Sequence, residues 1–422
     1  MNKTVKGLFE FIEESPSQFH VVANERQRFL DAGFVELNEA KEWKIELGKN
    51  YFVTRNGSSI LAFRMPKNEY KSFMIMASHS DSPSFRIKEM PEMKEGHYVK
   101  LNTEKYGGML MAPWFDRPLS IAGRVIVRSK NGIETKLIDF DRDLCMLPSL
   151  AIHMDRTANE GHKYEVQKEL LPLFAGGDKK DAKLISLICK ECGIKEKDVL
   201  DADLFLYNRM APVSFGMNNE FIASPRLDDL QCVYGSLQGI LAAKPSDYVA
   251  VHAVFNNEEV GSETKQGAAS SFLTDVIARI CEKFSVSVED RARKMADSFM
   301  ISADNAHALH PNYSEKTDPT NKPVLNGGIV IKYNANQKYT TDAVSSAFLR
   351  KICKKTGAKV QEYVNPSDIP GGSTLGSIAT ARVSMNTVDI GLPQLAMHSS
   401  YETAGREDTE DLIKVSKEFF SK

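Results

Sequence analysis

The chain has 422 residues and a formal net charge of −2, from 54 Lys and Arg against 56 Asp and Glu. With 42% hydrophobic and 26% charged residues it has the composition of a globular protein, which excludes a disordered tail, a collagen-like chain and a small disulfide scaffold. The balanced charge gives no reason to expect nucleic acid as a partner, and the length predicts two or three domains.

The N-terminal residues 1–20 become acidic after a few apolar positions and have no small-residue cleavage site, so they do not resemble a signal peptide. The apolar stretches are far shorter than a membrane span. We therefore expect a cytoplasmic protein that has no membrane partner.

The first part of the chain predicts a helix followed by buried strands. Phe19, Phe29 and Leu30 share a helical spacing, Pro16 is expected in the first turn, and Gly33 stands where a C-cap belongs. Strands are predicted at 51–54, 58–65 and 72–81. The last of them is a continuous apolar run that ends in polar residues, as buried strands of α/β sheets do.

Residues 94–213 show a different pattern. The runs at 123–129 and 134–140 alternate in polarity and are separated by Lys130-Asn131-Gly132, which is a strong hairpin signal. We predict a β-rich insertion domain at 94–213 and a discontinuous catalytic domain formed by 1–93 and 214–422.

From residue 214 onwards helices alternate with apolar strands. Helices are predicted at 228–243, 268–284 and 342–355, and strands directly before Glu258, at 298–308, at 327–334 and at 384–393. Such alternation predicts an α/β fold with a mostly parallel, doubly wound sheet and helices on both faces.

Residues that can bind metal ions stand at the ends of several predicted strands. These residues, with one acid at a helix start, are His79, Asp81, Glu258, Glu259, Asp304, His398 and Asp228. In open α/β sheets ligands bind beyond the carboxyl ends of the strands. Many carboxylates at one edge would carry a large negative charge, which a divalent ion would neutralise. Imidazole and carboxylate ligands suit zinc and also accept cobalt or manganese.

Each of these residues also has a simpler explanation. A histidine after a strand is usually a hydrogen-bonded loop residue, Glu258-Glu259 could be a solvated loop, and Asp228-Asp229 could cap a helix. The set as a whole favours metal chemistry. One carboxylate of the Glu-Glu pair could bind metal while the other takes a proton from an acidified water, and Asp81 could accept the second imidazole N–H of His79.

The chain resembles the aspartyl aminopeptidase family in blocks that follow one another in the same order from about residue 8 to 420. The blocks are SHSDSPSFRIK, SPRLDDL, NNEEVGS, ISADNAHALHPNY, KPVLNGGIVIKYNANQKYTTDA and GLPQLAMHSSYETAG. The resemblance implies a cytosolic metallopeptidase with two divalent metal ions, zinc first among them. By this resemblance His79 and Asp304 would bind one ion, and Glu259 and His398 the other. Asp228 would bridge the two ions, Glu258 would be the general base, and Asp81 would orient His79.

The resemblance also implies residues that contact the substrate. His153 would stabilise the oxyanion from a neighbouring subunit, although a hairpin-end histidine is the simpler explanation from the residues alone. Lys332 would meet an acidic side chain at P1, with a solvent-facing lysine as the alternative. The spacing of His307 and His310 itself, apart from the resemblance, suggests that His307 lies on the substrate side, with a position behind the metal ligands as the alternative. The Gly-rich loop at 369–376 has no lysine for phosphate, so we expect its backbone N–H groups to hold a peptide.

The predicted function is release of the N-terminal residue, preferably Asp or Glu, from peptide substrates. The alternative is a metal-dependent N-acyl amino acid deacylase, which would cleave an N-acetylated amino acid that an aminopeptidase rejects. A non-catalytic assembly protein is a third hypothesis, and the presence of every proposed ligand argues against it. The resemblance further implies a dimer-based homo-oligomer of the tetrahedral dodecamer type, with the insertion at the dimer contact.

Overall fold

The computed structural model describes residues 2–130, 132–177 and 182–422. The α-helices of these residues, in chain order, are α1 (Lys3–Glu13), α2 (Gln18–Asp31), α3 (Val166–Glu169), α4 (Leu184–Cys192), α5 (Leu227–Ala242), α6 (Phe272–Lys283), α7 (Val288–Ala296), α8 (Ala343–Thr356), α9 (Leu375–Thr380) and α10 (Asp408–Phe420).

The strands of the same residues, in chain order, are β1 (Val35–Leu37), β2 (Asn50–Arg55), β3 (Ser59–Arg64), β4 (Phe73–His79), β5 (Ser84–Glu95), β6 (Tyr98–Tyr106), β7 (Leu119–Ser129), β8 (Gly132–Asp139), β9 (Leu173–Gly176), β10 (Val199–Asn208), β11 (Val213–Phe215), β12 (Phe221–Ser224), β13 (Val249–Phe255), β14 (Phe299–Ala303), β15 (Ala306–His307), β16 (Ile329–Tyr333), β17 (Val360–Val364), β18 (Asn386–Gly391), β19 (Pro393–Leu395) and β20 (Glu402–Gly405).

The described chain divides into two compact units. The first contains the residues up to Asp81, Pro212–Met397 and Glu402–Lys422, and the second contains Ser82–Ala211 and His398–Tyr401. β5 belongs to the second unit because it pairs with β6 and β10, so this unit begins before the predicted boundary at residue 94.

The first unit is built on a nine-stranded sheet in the order β1-β2-β3-β13-β4-β14-β18-β16-β17. β13, β4, β14 and β18 are parallel neighbours, whereas β3 and β16 join the sheet by antiparallel pairing. Most neighbouring pairs are parallel, which confirms the predicted α/β class.

The sheet has a hydrophobic core on each face. Along β13, Ala250 and Val254 belong to the core that contains α1, α2, α5, α8 and α10. The residues between them, Val251 and Ala253, belong to the core that contains α6 and α9. Successive side chains of a strand point to opposite faces, so a strand covered on both sides must be apolar throughout. All residues of β4 and β13 are buried, as their continuous apolar runs predict.

Local capping explains where α8 begins and ends. Asp342 caps α8 through a capping box with Ser345, and Gly357 ends it in the left-handed conformation, as predicted. α2 begins after its N-cap residue Ser17, so the prediction of Pro16 in its first turn is wrong.

The second unit is β-rich. Its six-stranded sheet has the order β8-β7-β10-β5-β6-β9 and is antiparallel throughout. β7 and β8 pair from Ser129↔Gly132 to Ala122↔Asp139, as the hairpin prediction requires, while Asn131 of the predicted turn lies outside the described residues.

A five-stranded sheet completes the first unit, in the order β11-β12-β20-β19-β15. In this sheet β12, which directly precedes α5, pairs with β20 from the last part of the chain. None of the described helices has the length and apolar character needed to cross a membrane.

Candidate metal centre

Five of the predicted metal-site residues, with Asp229, lie together in the first unit. They form two groups that share His79, and within each group the ligand atoms are all within 4.8 Å of one another. The first group is His79, Asp228, Asp229 and Asp304, and the second is His79, Glu258 and Glu259. The topology explains the meeting. β13, β4 and β14 are adjacent and parallel, so the residues that follow them reach the same edge of the sheet.

His79 lies at the centre of the site, with 1% of its surface exposed. Its Nε2 atom is 3.5 Å from Asp228 Oδ1 and 3.7 Å from Asp304 Oδ1. Its Nδ1 atom lies 3.0 Å from the main-chain carbonyl oxygen of Asp81, and 3.5 Å from the carboxylate of the same residue. The closer partner that orients the ring is therefore the carbonyl oxygen, whereas the sequence suggested the carboxylate.

The carboxylate of Asp81 fixes the Glu-Glu turn. Its Oδ1 accepts a hydrogen bond from the N–H of Glu258 at 3.1 Å, and its Oδ2 accepts one from the N–H of Glu259 at 3.2 Å. The turn Glu258–Val260 is a single 3-10 turn entered through Asn257 at φ 60°. Asp81 thus holds both glutamates at the edge where His79 lies.

The two aspartates at the start of α5 have more specific roles than helix capping. Arg226 is the N-cap of α5. Asp228 and Asp229 have non-helical backbone angles, and a cis peptide bond joins the two residues. The N–H of Asp228 donates to Glu402 Oε2 at 3.0 Å, and Asp229 Oδ2 accepts from the N–H of His79 at 3.1 Å. The sequence did not single out Glu402, or Asp229 beyond its possible role as a helix cap.

The cluster holds more negative charge than its neighbours balance. Burial raises the pKa of Glu258 to about 8, with the charges of Asp304 and Asp81 adding to the shift and His79 opposing it. Burial likewise raises the pKa values of Glu259 and Asp229 well above their ordinary values. Burial acts to lower the pKa of His79, but the surrounding aspartates outweigh it and raise that pKa. Glu258, Glu259 and Asp229 therefore hold protons more readily than ordinary acids unless a cation is bound, and the imidazole and carboxylate donor set of the cluster fits zinc.

This charge balance predicts a pH-dependent stability for the metal-free protein. In the folded state the pKa of Glu258 is raised from 4.5 to about 8, so its contribution is fully present below pH 4.5 and is lost as the pH rises through about 8. We expect the free energy of unfolding of chelator-treated protein to fall over this interval, measured by chemical denaturation.

Two comparisons make that prediction specific. Glu258→Gln removes one titrating group and should reduce the slope by about one proton. Protein with bound zinc should show a much flatter profile, because the cation takes the place of the protons. The same steep profile in zinc-loaded and chelated protein would contradict the assignment of this cluster as a cation site.

Lys332 is buried beside the same cluster. Only 3% of it is exposed, and its Nζ atom lies 3.5 Å from Asp304 Oδ2 and 5.5 Å from the ring centre of Tyr339. Burial acts to lower the pKa of Lys332, but the charge of Asp304 outweighs it and raises that pKa, so the side chain is a cation. The alternative of a lysine in solvent is wrong.

The histidines after β14 lie at the surface or near it. His307 is exposed, and its ring centre is 5.9 Å from that of Tyr363. His310 is partly buried, and its Nδ1 accepts a hydrogen bond from the N–H of Asn312 at 3.2 Å. The substrate-side role of His307 stays a prediction.

His153 and His398 belong to the second unit. His153 is exposed within a turn. His398 has φ 65°, and its carbonyl oxygen accepts a hydrogen bond from the N–H of Leu110 at 3.0 Å. The residues 396–401 connect β19 to β20, two paired strands of the first unit. The roles of both histidines stay predictions.

The chain matches one family model and many related sequences. The family described as aminopeptidase I zinc metalloprotease (M18) matches residues 11–420. The probable M18 family aminopeptidase 2 of Clostridium acetobutylicum is 46% identical over 99% of this chain and 98% of its own length. Its namesake in Pseudomonas savastanoi pv. phaseolicola is 42% identical over 98% of this chain and 97% of its own length.

Solved structures share the fold at high similarity. A chain in the cryo-EM structure of the Ape4 and Nbr1 complex is 36% identical with a TM-score of 0.95, covering 99% of this chain and 85% of that one. The S. cerevisiae mApe1 dodecamer gives a TM-score of 0.86 at 25% identity, covering 99% of this chain and 96% of that one.

Proposed function

The chain belongs to the M18 family of zinc metalloproteases and is an aminopeptidase; from this premise we propose that it releases N-terminal acidic residues from peptides with the help of two divalent ions. The resemblance in the sequence to aspartyl aminopeptidases is thereby confirmed at the level of the family. The preference for Asp or Glu, the number of ions and the role of each residue are our proposal.

The observation that carries this proposal is the meeting of His79, Asp228, Asp304, Glu258 and Glu259 at one edge of the sheet. We propose that His79 and Asp304 hold one ion, that Glu259 and His398 hold the other, and that Asp228 bridges them. His398 lies in the connection that ends at Glu402. The carboxylate of Glu402 accepts a hydrogen bond from the N–H of Asp228, and this link to the cluster supports the proposal that His398 is a ligand. Bound zinc ions polarise a carbonyl group and lower the pKa of water.

Glu258 is the proposed general base. Its ligand atoms lie in one group with those of His79 and Glu259, and a bound cation there would favour the ionised carboxylate, which can take a proton from water and return it to the leaving amine. Asp81 holds the main chain of Glu258 and so directs this carboxylate towards His79 and Asp304. The free α-amine of the substrate is a cation, and the acidic cluster favours it over a blocked N-terminus.

Lys332 supports a preference for acidic residues. A buried ammonium group is strongly stabilised by a carboxylate partner, and only Asp304 lies within ion-pair distance in the described residues. A P1 Asp or Glu would add a second partner, whereas Leu would not. We propose that the exposed His153 reaches the oxyanion of a neighbouring subunit in a homo-oligomer, a state supported by the dodecamer described for S. cerevisiae mApe1.

The first test compares substrates with free and blocked N-termini. Chromogenic amides of Asp and Glu should be cleaved faster than those of Leu and Lys, and cleavage should stop with a chelator and return when zinc is added. N-acetylated Asp amide should remain intact. Release of acetate from an N-acetyl amino acid would instead support the deacylase alternative.

Lys332→Met tests the selectivity at nearly constant side-chain length. The variant should lower kcat/KM for Asp and Glu amides by roughly tenfold to a hundredfold relative to the Leu amide, since a charge-assisted hydrogen bond contributes about 1.5–3 kcal/mol. Lys332→Arg retains the charge and should retain part of the preference. An equal decline for all substrates would remove Lys332 from selectivity.

A further inference from the structure

Asp389 is a buried carboxylate near Lys332, the proposed contact of the P1 side chain, and it is absent from the metal cluster described above. It lies in β18 with 0% of its surface exposed. The sequence motifs gave it no role. Its position is defined by its neighbours in the sheet, because it pairs with Ser302 of β14 in parallel register.

Its side chain holds two separate segments of the chain. Oδ2 accepts hydrogen bonds from both the N–H and the hydroxyl of Thr340, each at 2.6 Å. Oδ1 accepts a hydrogen bond from the hydroxyl of Thr374 at 2.7 Å. The main chain adds to this contact, since the N–H of Asp389 donates to Thr341 Oγ1 at 2.9 Å. Both carboxylate oxygens thus have donors from the protein itself.

One of the two segments lies beside Lys332, and the other belongs to the Gly-rich loop. Thr340 follows Tyr339, whose ring lies 5.5 Å from Lys332 Nζ. Thr374 lies in the Gly-rich loop at 369–376 and is the N-cap residue of α9, but its hydroxyl donates to Asp389 and makes no capping bond to the helix. Gly376, in the first turn of α9, is packed so closely that an added Cβ would overlap Asp389 Oδ1.

Asp389 also stands beside Lys332 in the sheet. β16 and β18 are antiparallel, and Ile331 pairs with Ile390. Continuing this register by one residue brings Lys332 opposite Asp389, and directly opposed residues of antiparallel strands share a face. One carboxylate therefore lies next to the lysine and joins the two segments that flank it.

We infer that Asp389 is a positioning residue that fixes the segment at 339–341 and the Gly-rich loop around Lys332, and so sets the geometry of the pocket that binds the P1 side chain. This inference rests on the proposed function for the identity of the pocket. Asp389 acts through Thr340 and Thr374 and does not itself contact the substrate. Its charge makes these hydrogen bonds stronger than those of a neutral acceptor.

Two variants of the full-length protein test the inference. Asp389→Asn keeps the shape but removes the negative charge of the acceptor, so it weakens the hydrogen bonds that hold both segments. Thr374→Val keeps the volume of Thr374 and removes only the hydroxyl that binds Asp389. Thr374→Ser, the matched control, keeps that hydroxyl.

The first measurement is hydrogen exchange followed by mass spectrometry, which needs no substrate. In Asp389→Asn, peptides that cover 336–342 and 370–376 should exchange faster by roughly fivefold to tenfold, as expected for one weakened hydrogen bond. In Thr374→Val the increase should be confined to 370–376, and Thr374→Ser should retain the exchange rate of the wild type. Unchanged exchange in both segments would overturn the inference.

The second measurement separates positioning from a general structural role. KM for the best substrate should rise by about tenfold in Asp389→Asn and Thr374→Val, with a smaller change in kcat. If Asp389→Asn exchanges faster throughout the chain, Thr374→Val decides the question. Unchanged KM in Thr374→Val overturns the inference, as does a fall in kcat alone. If the wild type shows no acidic preference while KM still rises in both variants, the positioning role stands and the proposed selectivity fails.

Discussion

Glu258→Gln is expected to lower kcat by roughly a hundredfold to ten-thousandfold, the range for loss of a general base, while the bound metal content stays unchanged. Glutamine fills nearly the same volume and keeps the main-chain N–H that donates to Asp81, so the turn should be retained. It cannot accept a proton from the attacking water near neutral pH. Steady-state kinetics with an Asp amide and metal analysis of the same sample measure the two quantities.

The neighbouring residue supplies a matched control. Glu259→Gln makes the same chemical change one position later, in a side chain that we propose binds a metal ion. It should weaken metal binding and lose activity that added zinc partly restores, whereas added zinc should not rescue Glu258→Gln. Rescue of both variants by zinc, or full activity in Glu258→Gln, would remove Glu258 as the general base.

The frame of the site could be predicted from the sequence because it depends on local patterns. β4, β13 and β14 are continuous apolar runs, and strands buried on both faces require such runs. Since polar residues stand at the end of each run or directly after it, the rule for parallel sheets is enough to bring His79, Glu258 and Asp304 to one edge. The same is true of α8, whose capping residues Asp342 and Gly357 stand in the sequence at helix-ending positions.

The contacts that orient these side chains could not be predicted in this way. Glu402 accepts the N–H of Asp228 across 174 positions of the chain, and Asp81 accepts the N–H of Glu258 across 177. Nothing local to Glu402 distinguishes it from a surface acid, because its position depends on the pairing of β20 with β12. The closest partner of His79 Nδ1 is a main-chain carbonyl oxygen, which no side-chain motif can indicate.

For a related reason, the sequence did not indicate that the second unit begins before residue 94. β5 contains Pro91, and its register with β6 shifts between Ile87 and Glu92, so it lacks the regular alternation that marks a strand. The strands of the five-stranded sheet are only two to four residues long, too short for a periodic signal. Both features become recognisable only when partner strands are known. The burial of Lys332 could not be predicted either, since the pattern of its strand alone allows the side chain to point to either face of the sheet.

The network around Asp81 has a consequence for catalysis. Its carboxylate accepts two successive N–H groups, one from the proposed base and one from a proposed ligand. A displacement of this carboxylate therefore moves both glutamates together. The side chain is 0% exposed, so no water can replace the lost acceptor without rearrangement.

Asp81→Asn should consequently lower kcat/KM by about tenfold to a hundredfold and weaken metal binding by a similar factor, as changes in the residues that support metal ligands commonly do. The amide group of asparagine would direct an N–H towards the N–H of Glu258 or Glu259, so one of the two hydrogen bonds would be replaced by a contact between donors. Kinetics with an Asp amide and zinc titration against a competing indicator measure both effects.

Ser80→Ala is the control, because Ser80 is the neighbour of Asp81 in the chain. Its hydroxyl donates to the carbonyl oxygens of Ser58 and Phe255 and to neither glutamate. It should disturb the local packing and leave zinc affinity and kcat/KM within a few-fold of the wild type. An equal loss in both variants would assign the effect to the fold of the turn. Wild-type kinetics in Asp81→Asn would show that the Glu258 and Glu259 main chain holds its position without the carboxylate.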